Sequence, residues 1–161
     1  MEIINGERLV LGTCYYPEHW DESLWRDDLK RMLENGIEVI RIAEFAWSKI
    51  ERYEGVFNYD FFDRFLDVAA DMGMKVIFCT PTATPPAWLT EKYPEVLNAN
   101  MDGVLYRHGG RRHYNYNSPK YQELTRIIVE KSASHYAKHP AIIGWQIDNE
   151  LNCEKNEFYS E

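Results

Sequence analysis

The chain has 161 residues, 45% of them hydrophobic, which is enough apolar material for a folded core and excludes a disordered protein. Its 18 basic and 26 acidic residues give a formal net charge of −8, which argues against nucleic acid or an anionic membrane surface as a partner. No apolar run is long enough to span a membrane, and no apolar signal segment is visible near the N-terminus. We therefore expect a cytoplasmic protein.

Short apolar runs, which predict strands, alternate with amphipathic stretches, which predict helices. Gly36 and Gly73 stand where the first two helices should end, and Pro119 stands in the first turn of the third. In chain order, the predicted elements are strand 9–15, helix 21–34, strand 39–43, helix 59–72, strand 75–80, helix 119–138 and strand 141–147.

This order is typical of an α/β fold with parallel strands. The strand runs are continuously apolar, which indicates strands buried on both faces under helices. No G-x-G-x-x-G motif or phosphate loop follows the first strand, so a nucleotide-binding doubly wound sheet is disfavoured. We predict a (β/α)8 TIM barrel, of which residues 1–161 supply the N-terminal half, because a whole barrel needs about 250 residues. The long loop predicted at 81–118 would lie at the C-terminal face of the strands, where such barrels build active sites.

Polar residues gather where the predicted strands end. Glu44 follows the second strand, and Asn149 and Glu150 follow the fourth. A carboxyl group beside a buried strand would hold its proton near neutrality, as a glycosidase acid must, and the neighbouring amide could donate to a sugar hydroxyl. Glu44 could bind substrate hydroxyls or pair with an arginine. Arg111 and Arg112 could bind ligand oxygens, tune a catalytic carboxylate or only hold the loop.

Aromatic residues make up 14% of the chain, which fits either a well-filled core or a sugar site. Trp20, Trp47 and Trp88 follow three of the strands and could pack in the core one by one or form a site wall together. His108 and His113 are expected to pack in the loop or contact hydroxyls, rather than bind a metal.

Several long blocks make the chain resemble the N-terminal part of glycoside hydrolase family 42 β-galactosidases. The resemblance covers nearly the whole chain. It rests on GTCYYPEHW (12–20), RIAEFAWSKIERYEGVFNYDFFD (41–63), TPTATPPAWL (80–89), GRRHYNYNSP (110–119) and GWQIDNE (144–150).

The resemblance implies a (β/α)8 barrel that hydrolyses terminal β-D-galactosides with retention of anomeric configuration. By position, Glu150 would be the general acid/base, Asn149 and Arg111 would bind the galactose, and Glu44 would lie in the same pocket. The nucleophile of the family is a second Glu on the seventh strand, which these 161 residues do not contain. Members often form trimers, so a homo-oligomer is expected.

We predict no metal site and no cofactor. Many family members bind zinc through a cysteine cluster, but the loop position of the first ligand holds no Cys here, and Cys153 does not match a usual ligand. Cys14 and Cys79 lie in apolar runs and are expected to be buried thiols.

Two alternatives stay open. One is a related retaining barrel glycosidase of other specificity, such as a β-glucosidase, β-mannosidase or arabinosidase-like enzyme. The other is a non-catalytic half-barrel that binds sugar or is purely structural. For the isolated chain we expect no galactosidase activity, and we expect self-association through open sheet edges.

Overall fold

A computed structural model of the chain describes residues 9–151 and 157–160. By their contacts these residues form two compact units, which are described separately. The first unit contains the residues up to Ala43, Tyr59–Cys79 and Tyr136–Ile147, and the second contains Glu44–Asn58, Thr80–His135 and the residues from Asp148 onward. Each of the three segments of the second unit thus starts one or two residues after the end of a strand.

The first unit is built on a four-stranded parallel sheet. Its strands are β1 (Leu11–Cys14), β2 (Ile37–Ile42), β5 (Lys75–Cys79) and β6 (Ile142–Gln146), in the order β1-β2-β5-β6. The register places Ile42 opposite Phe78, and Phe78 opposite Trp145. This successive parallel arrangement is that of the N-terminal half of a (β/α)8 barrel, as predicted.

Two helices of the first unit are α1 (Trp25–Glu34) and α3 (Asp60–Asp71). Asp21 accepts a hydrogen bond from the backbone N–H of Ser23, so a short 3-10 turn replaces the predicted first turn of the helix. The buried faces of the two helices meet through Trp25, whose indole lies edge-on to Phe65 with ring centroids 5.1 Å apart.

Burial differs between the inner and the edge strands. Ile40, Ile42 and Phe78 on β2 and β5 are fully buried, whereas every residue of β1 is exposed and β6 is only partly covered. Burial on both faces was therefore predicted correctly for the inner strands only. The prediction of a buried thiol is confirmed for Cys79 and wrong for Cys14, which lies on the β1 edge.

The second unit contains elements that the sequence did not predict. A short helix α2 (Trp47–Ile50) leads into an antiparallel hairpin of β3 (Glu51–Tyr53) and β4 (Val56–Phe57). The segment 81–118 is not a plain loop, because it contains α4 (Ala87–Lys92), two 3-10 turns and two isolated β-bridges. The long helix α5 (Pro119–Tyr136) follows it and begins at Pro119, as predicted.

No helix in the described ranges combines the length and apolar character that crossing a membrane requires. Within the same ranges, no group of three or more His, Cys, Asp or Glu side chains could hold a metal ion. Cys153 and the N-terminal residues, on which two expectations depend, lie outside the described residues.

Candidate active site

The four predicted site residues all belong to the second unit. Glu44 comes two residues after β2, Arg111 lies between α4 and α5, and Asn149 and Glu150 follow β6. The structure brings two of them together directly, because Nη2 of Arg111 donates a hydrogen bond to Oε2 of Glu150 in an ion pair. Residues that are 39 positions apart in the chain therefore meet at one place.

The environment of Glu150 differs from the expectation. Its side chain is 55% exposed and that of Arg111 is 38% exposed, so the predicted burial of this carboxyl group is wrong. Two features explain the difference: β6 is itself only partly covered, and Glu150 has a backbone φ of 46°, which turns the chain away from the strand direction.

Arg111 also contacts the segment that follows β2. Its guanidinium carbon lies 5.9 Å from the ring centroid of Phe45, a distance at which a cation and an aromatic face attract each other. Phe45 is the direct neighbour of Glu44, a residue that is only 2% exposed. Arg111 therefore joins the segment after β2 to the one after β6 within the same unit.

Asp148 is the most heavily bonded residue of the turn before Glu150. Its backbone N–H donates to Oγ1 of Thr80 at 2.7 Å, and its Oδ2 accepts from Oγ1 of Thr82 at 2.7 Å. Its Oδ1 accepts from Nη1 of Arg112 at 3.1 Å and from the backbone N–H of Asn149 at 2.5 Å. The carboxylate is buried, so these bonds replace the water that it gives up.

Arg112 is the buried partner of Asp148. Its side chain is 1% exposed, and Nη1 also donates to the hydroxyl of Tyr114. The guanidinium carbon lies 5.8 and 5.4 Å from the ring centroids of Tyr114 and Tyr116. Nε and Nη2 of Arg112 are buried and have no hydrogen-bond partner among the described residues. The two adjacent arginines thus differ in burial: Arg112 packs inside the loop, whereas Arg111 forms the partly exposed ion pair with Glu150.

Four residues other than glycine have a left-handed backbone conformation in the segments that follow β2 and β6 and in the turn that carries Arg111. Their φ angles are 71° for Ala43, 57° for Arg112, 55° for Asp148 and 46° for Glu150. Such conformations are uncommon outside glycine and persist only where surrounding contacts enforce them. Each one is a predicted site residue or the direct neighbour of one, and strain of this kind concentrates at functional sites.

The sequence left open whether the three tryptophans pack in the core or form a site wall, and the structure shows that they differ in burial. Trp47 is fully buried and its indole N–H donates to Oε2 of Glu51 at 2.7 Å, while the Trp88 indole N–H donates to the Glu51 carbonyl at 3.0 Å. Burial raises the pKa of the Glu51 carboxyl, which also accepts from the backbone N–H of Gly55. Trp47 and Trp88 are therefore held by hydrogen bonds as packing groups.

Trp20 lies in the first unit and is 53% exposed. It lines an open cavity of about 480 Å³ together with residues of β1 and α1, among them Cys14 and Met32. Because Trp20 belongs to a different unit from Trp47 and Trp88, the expected common wall of three tryptophans stays a prediction.

The two loop histidines pack within the second unit. Their ring centroids are 4.9 Å apart, and Nδ1 of His108 hydrogen-bonds with Oγ1 of Thr90 at 2.9 Å. Nδ1 of His113 bonds to the carbonyl of Gly110, and burial lowers the pKa of this imidazole. His113 thereby closes the turn that carries Arg111 and Arg112.

Comparisons with known proteins point to one family. A family model described as β-galactosidase, of glycoside hydrolase family 42, matches residues 14–161. The chain is 43% identical to β-galactosidase Bga of Halorubrum lacusprofundi over 145 residues, and 46% identical to β-galactosidase BgaA of a Thermus species over 144 residues. These alignments cover 90% and 89% of the chain but 21% and 22% of the relatives, so the chain spans about a fifth of their length.

Solved structures agree. The crystal structure of a β-galactosidase from the psychrophilic Marinomonas ef1 superimposes with a TM-score of 0.91 at 42% sequence identity. That match covers 95% of this chain and 24% of the other. The β-galactosidase of Halorubrum lacusprofundi superimposes with a TM-score of 0.87.

Proposed function

The chain belongs to the glycoside hydrolase family 42 β-galactosidases, and from this premise we propose that it is the N-terminal part of an enzyme that hydrolyses terminal β-D-galactosides. We propose further that residues 1–161 are the first half of the catalytic barrel and contribute the general acid/base, Glu150. The cytoplasmic location and the homo-oligomeric, trimeric assembly expected from the sequence stay predictions.

The proposed reaction is a double displacement that retains the anomeric configuration. Glu150 donates a proton to the leaving glycosidic oxygen while a second carboxylate, from outside residues 1–161, attacks the anomeric carbon. The aglycone departs and a covalent galactosyl ester is left. Glu150 then takes a proton from water, the water oxygen attacks the anomeric carbon, and the ester bond breaks to release galactose.

The observation that carries this proposal is the pair of Arg111 and Glu150 on the turn after β6. A proton donor and a cation that can bind hydroxyls lie side by side, partly exposed and within reach of a ligand. Nη2 of Arg111 is bonded to Glu150, and substrate binding would open this contact. Arg111 would then donate to a galactose hydroxyl, and Glu150 would face the glycosidic oxygen.

The other two predicted residues would hold the sugar. The side-chain amide of Asn149 is placed next to Glu150 by the chain itself and would donate to the 2-hydroxyl, a contact that strengthens in the transition state. The buried carboxylate of Glu44 would accept hydrogen bonds from hydroxyls in a dry pocket, where each such bond discriminates strongly between epimeric sugars.

The test is a panel of aryl glycosides given to the complete protein encoded by the gene. We expect the highest kcat/KM for the β-D-galactoside, and we expect E44Q to lower it chiefly through KM. E91Q, which changes an exposed glutamate of α4, is the matched control and should leave both constants unchanged. Preference for a β-glucoside, β-mannoside or arabinoside would contradict the assignment of galactose, and no turnover of any glycoside would contradict hydrolysis altogether.

A further inference from the structure

We propose that Asp148 is a positioning residue, which sets the placement of Glu150 through the backbone without touching the substrate. This inference rests on the proposed role of Glu150 as the general acid/base. The feature that carries it is a buried carboxylate, directly in the turn before the acid/base, whose described hydrogen bonds go to Thr82, Arg112 and the backbone of Asn149.

The first support is the anchoring of the turn to the segment that follows β5. Thr80 accepts from the Asp148 backbone N–H, and Thr82 donates to the Asp148 carboxylate, each at 2.7 Å. Thr82 is held in turn by its own carbonyl, which accepts from the hydroxyl of Tyr121 on α5 at 2.7 Å. Main chain and side chain of Asp148 are therefore tied to one fixed segment.

The second support is the charge that faces the carboxylate from the other side. Arg112, fully buried, donates to Oδ1 at 3.1 Å, so the aspartate is bonded as an anion between a hydroxyl and a guanidinium. A neutral asparagine in the same place has one acceptor oxygen instead of two. It therefore cannot accept from Thr82, Arg112 and the backbone of Asn149 in the observed arrangement.

The third support is the backbone itself. Both Asp148 and Glu150 have left-handed φ angles, of 55° and 46°, with Asn149 between them. This backbone is unfavourable for a glutamate, so it needs contacts that enforce it. The bond from the Asn149 N–H to Asp148 Oδ1 closes the turn between the two strained residues and supplies such a contact.

The consequence for catalysis follows from the geometry of proton transfer. A general acid works only when its proton lies within hydrogen-bond distance of the leaving oxygen. Misplacement by about 1 Å can cost about 100-fold in rate. Loss of the Asp148 contacts lets the turn relax toward ordinary backbone angles, which shifts Glu150 while leaving its carboxyl group chemically intact.

The experiment compares D148N with the control D102N in the complete protein, using two substrates. D102N changes an exposed aspartate in the turn after Asn100. Phenyl β-D-galactoside needs protonation of its leaving group, whereas 2,4-dinitrophenyl β-D-galactoside does not. For D148N we expect kcat/KM to fall about 100-fold on the first substrate and by about threefold or less on the second. D102N should match the wild type on both.

T82V removes one hydrogen bond to the Asp148 carboxylate and keeps its charge. It should lower kcat/KM for the phenyl galactoside selectively, as D148N does, but by a smaller factor. If D148N does not fold, T82V tests the same inference. An equal loss on both substrates, or no loss, would overturn the positioning role. E150Q is measured in parallel: if it keeps full activity on the phenyl galactoside, the acid/base assignment itself fails. Selective loss in E150Q with none in D148N or T82V would overturn the present inference alone.

Discussion

Replacing Arg112 by Met tests how much the second unit depends on its buried ion pair. The guanidinium is 1% exposed and the Asp148 side chain 12% exposed, with 3.1 Å between nitrogen and oxygen. Met retains much of the apolar stem but leaves the Asp148 charge without its cation in a site that water barely reaches. Breaking one side of a buried pair costs about 3–5 kcal/mol in free energy of unfolding.

The measurement is urea unfolding of the chain, followed by tryptophan fluorescence at one fixed, low protein concentration. The control is R126M, which removes an exposed arginine of α5 that pairs with Glu130 at 3.0 Å; such exposed pairs contribute about 0.5 kcal/mol or less. D148N added to R112M removes the stranded charge and should recover part of the loss. An R112M loss no larger than that of R126M would refute this reasoning, as would strict additivity of R112M and D148N.

Three further predictions follow. Burial lowers the pKa of His113, so that on acidification below about pH 6.5 the unfolded chain takes up a proton before the folded chain does. The stability that the neutral imidazole contributes is therefore present above that pH and falls as the pH is lowered. In urea melts, H113N should lessen the fall in stability between pH 7 and pH 5. The isolated chain should self-associate because β1 and β6 form the sheet edges, and light scattering that finds only monomers would contradict this. Residues 1–161 alone should show no galactosidase turnover, and activity abolished by E150Q in that chain would disprove the need for an outside nucleophile.

Much of the first unit could be predicted from the sequence because its signals are local. The apolar runs at 39–43 and 75–80 coincide with β2 and β5 to within a few residues. The hairpin that follows α2 could not be predicted in this way. It is stabilised by the Glu51 carboxylate, which accepts from Trp47 and Gly55, and such side-chain bonds leave no periodic pattern in the sequence.

For the candidate site, the sequence predicts a set of residues but not their arrangement; the structure brings Arg111 and Glu150 of that set into direct contact. Polar residues that directly follow strands drew attention to Glu44, Asn149 and Glu150. Asp148 lies in the same run, but the sequence assigns it no role, because the proposed role depends on Thr80, which is 68 positions earlier. The expected burial of Glu150 failed for a related reason: left-handed backbone depends on tertiary contacts and is not visible in residue types.

Azide rescue of E150A in the complete protein tests most directly the claim that Glu150 is the acid/base of a retaining β-galactosidase. With 2,4-dinitrophenyl β-D-galactoside the variant should form the galactosyl ester readily. Turnover should then stall, because no base activates water, a loss of about 100-fold or more. Azide needs no deprotonation, so it should restore turnover and yield β-galactosyl azide. Unchanged turnover in E150A, absence of rescue or an α-galactosyl azide product would contradict the claim.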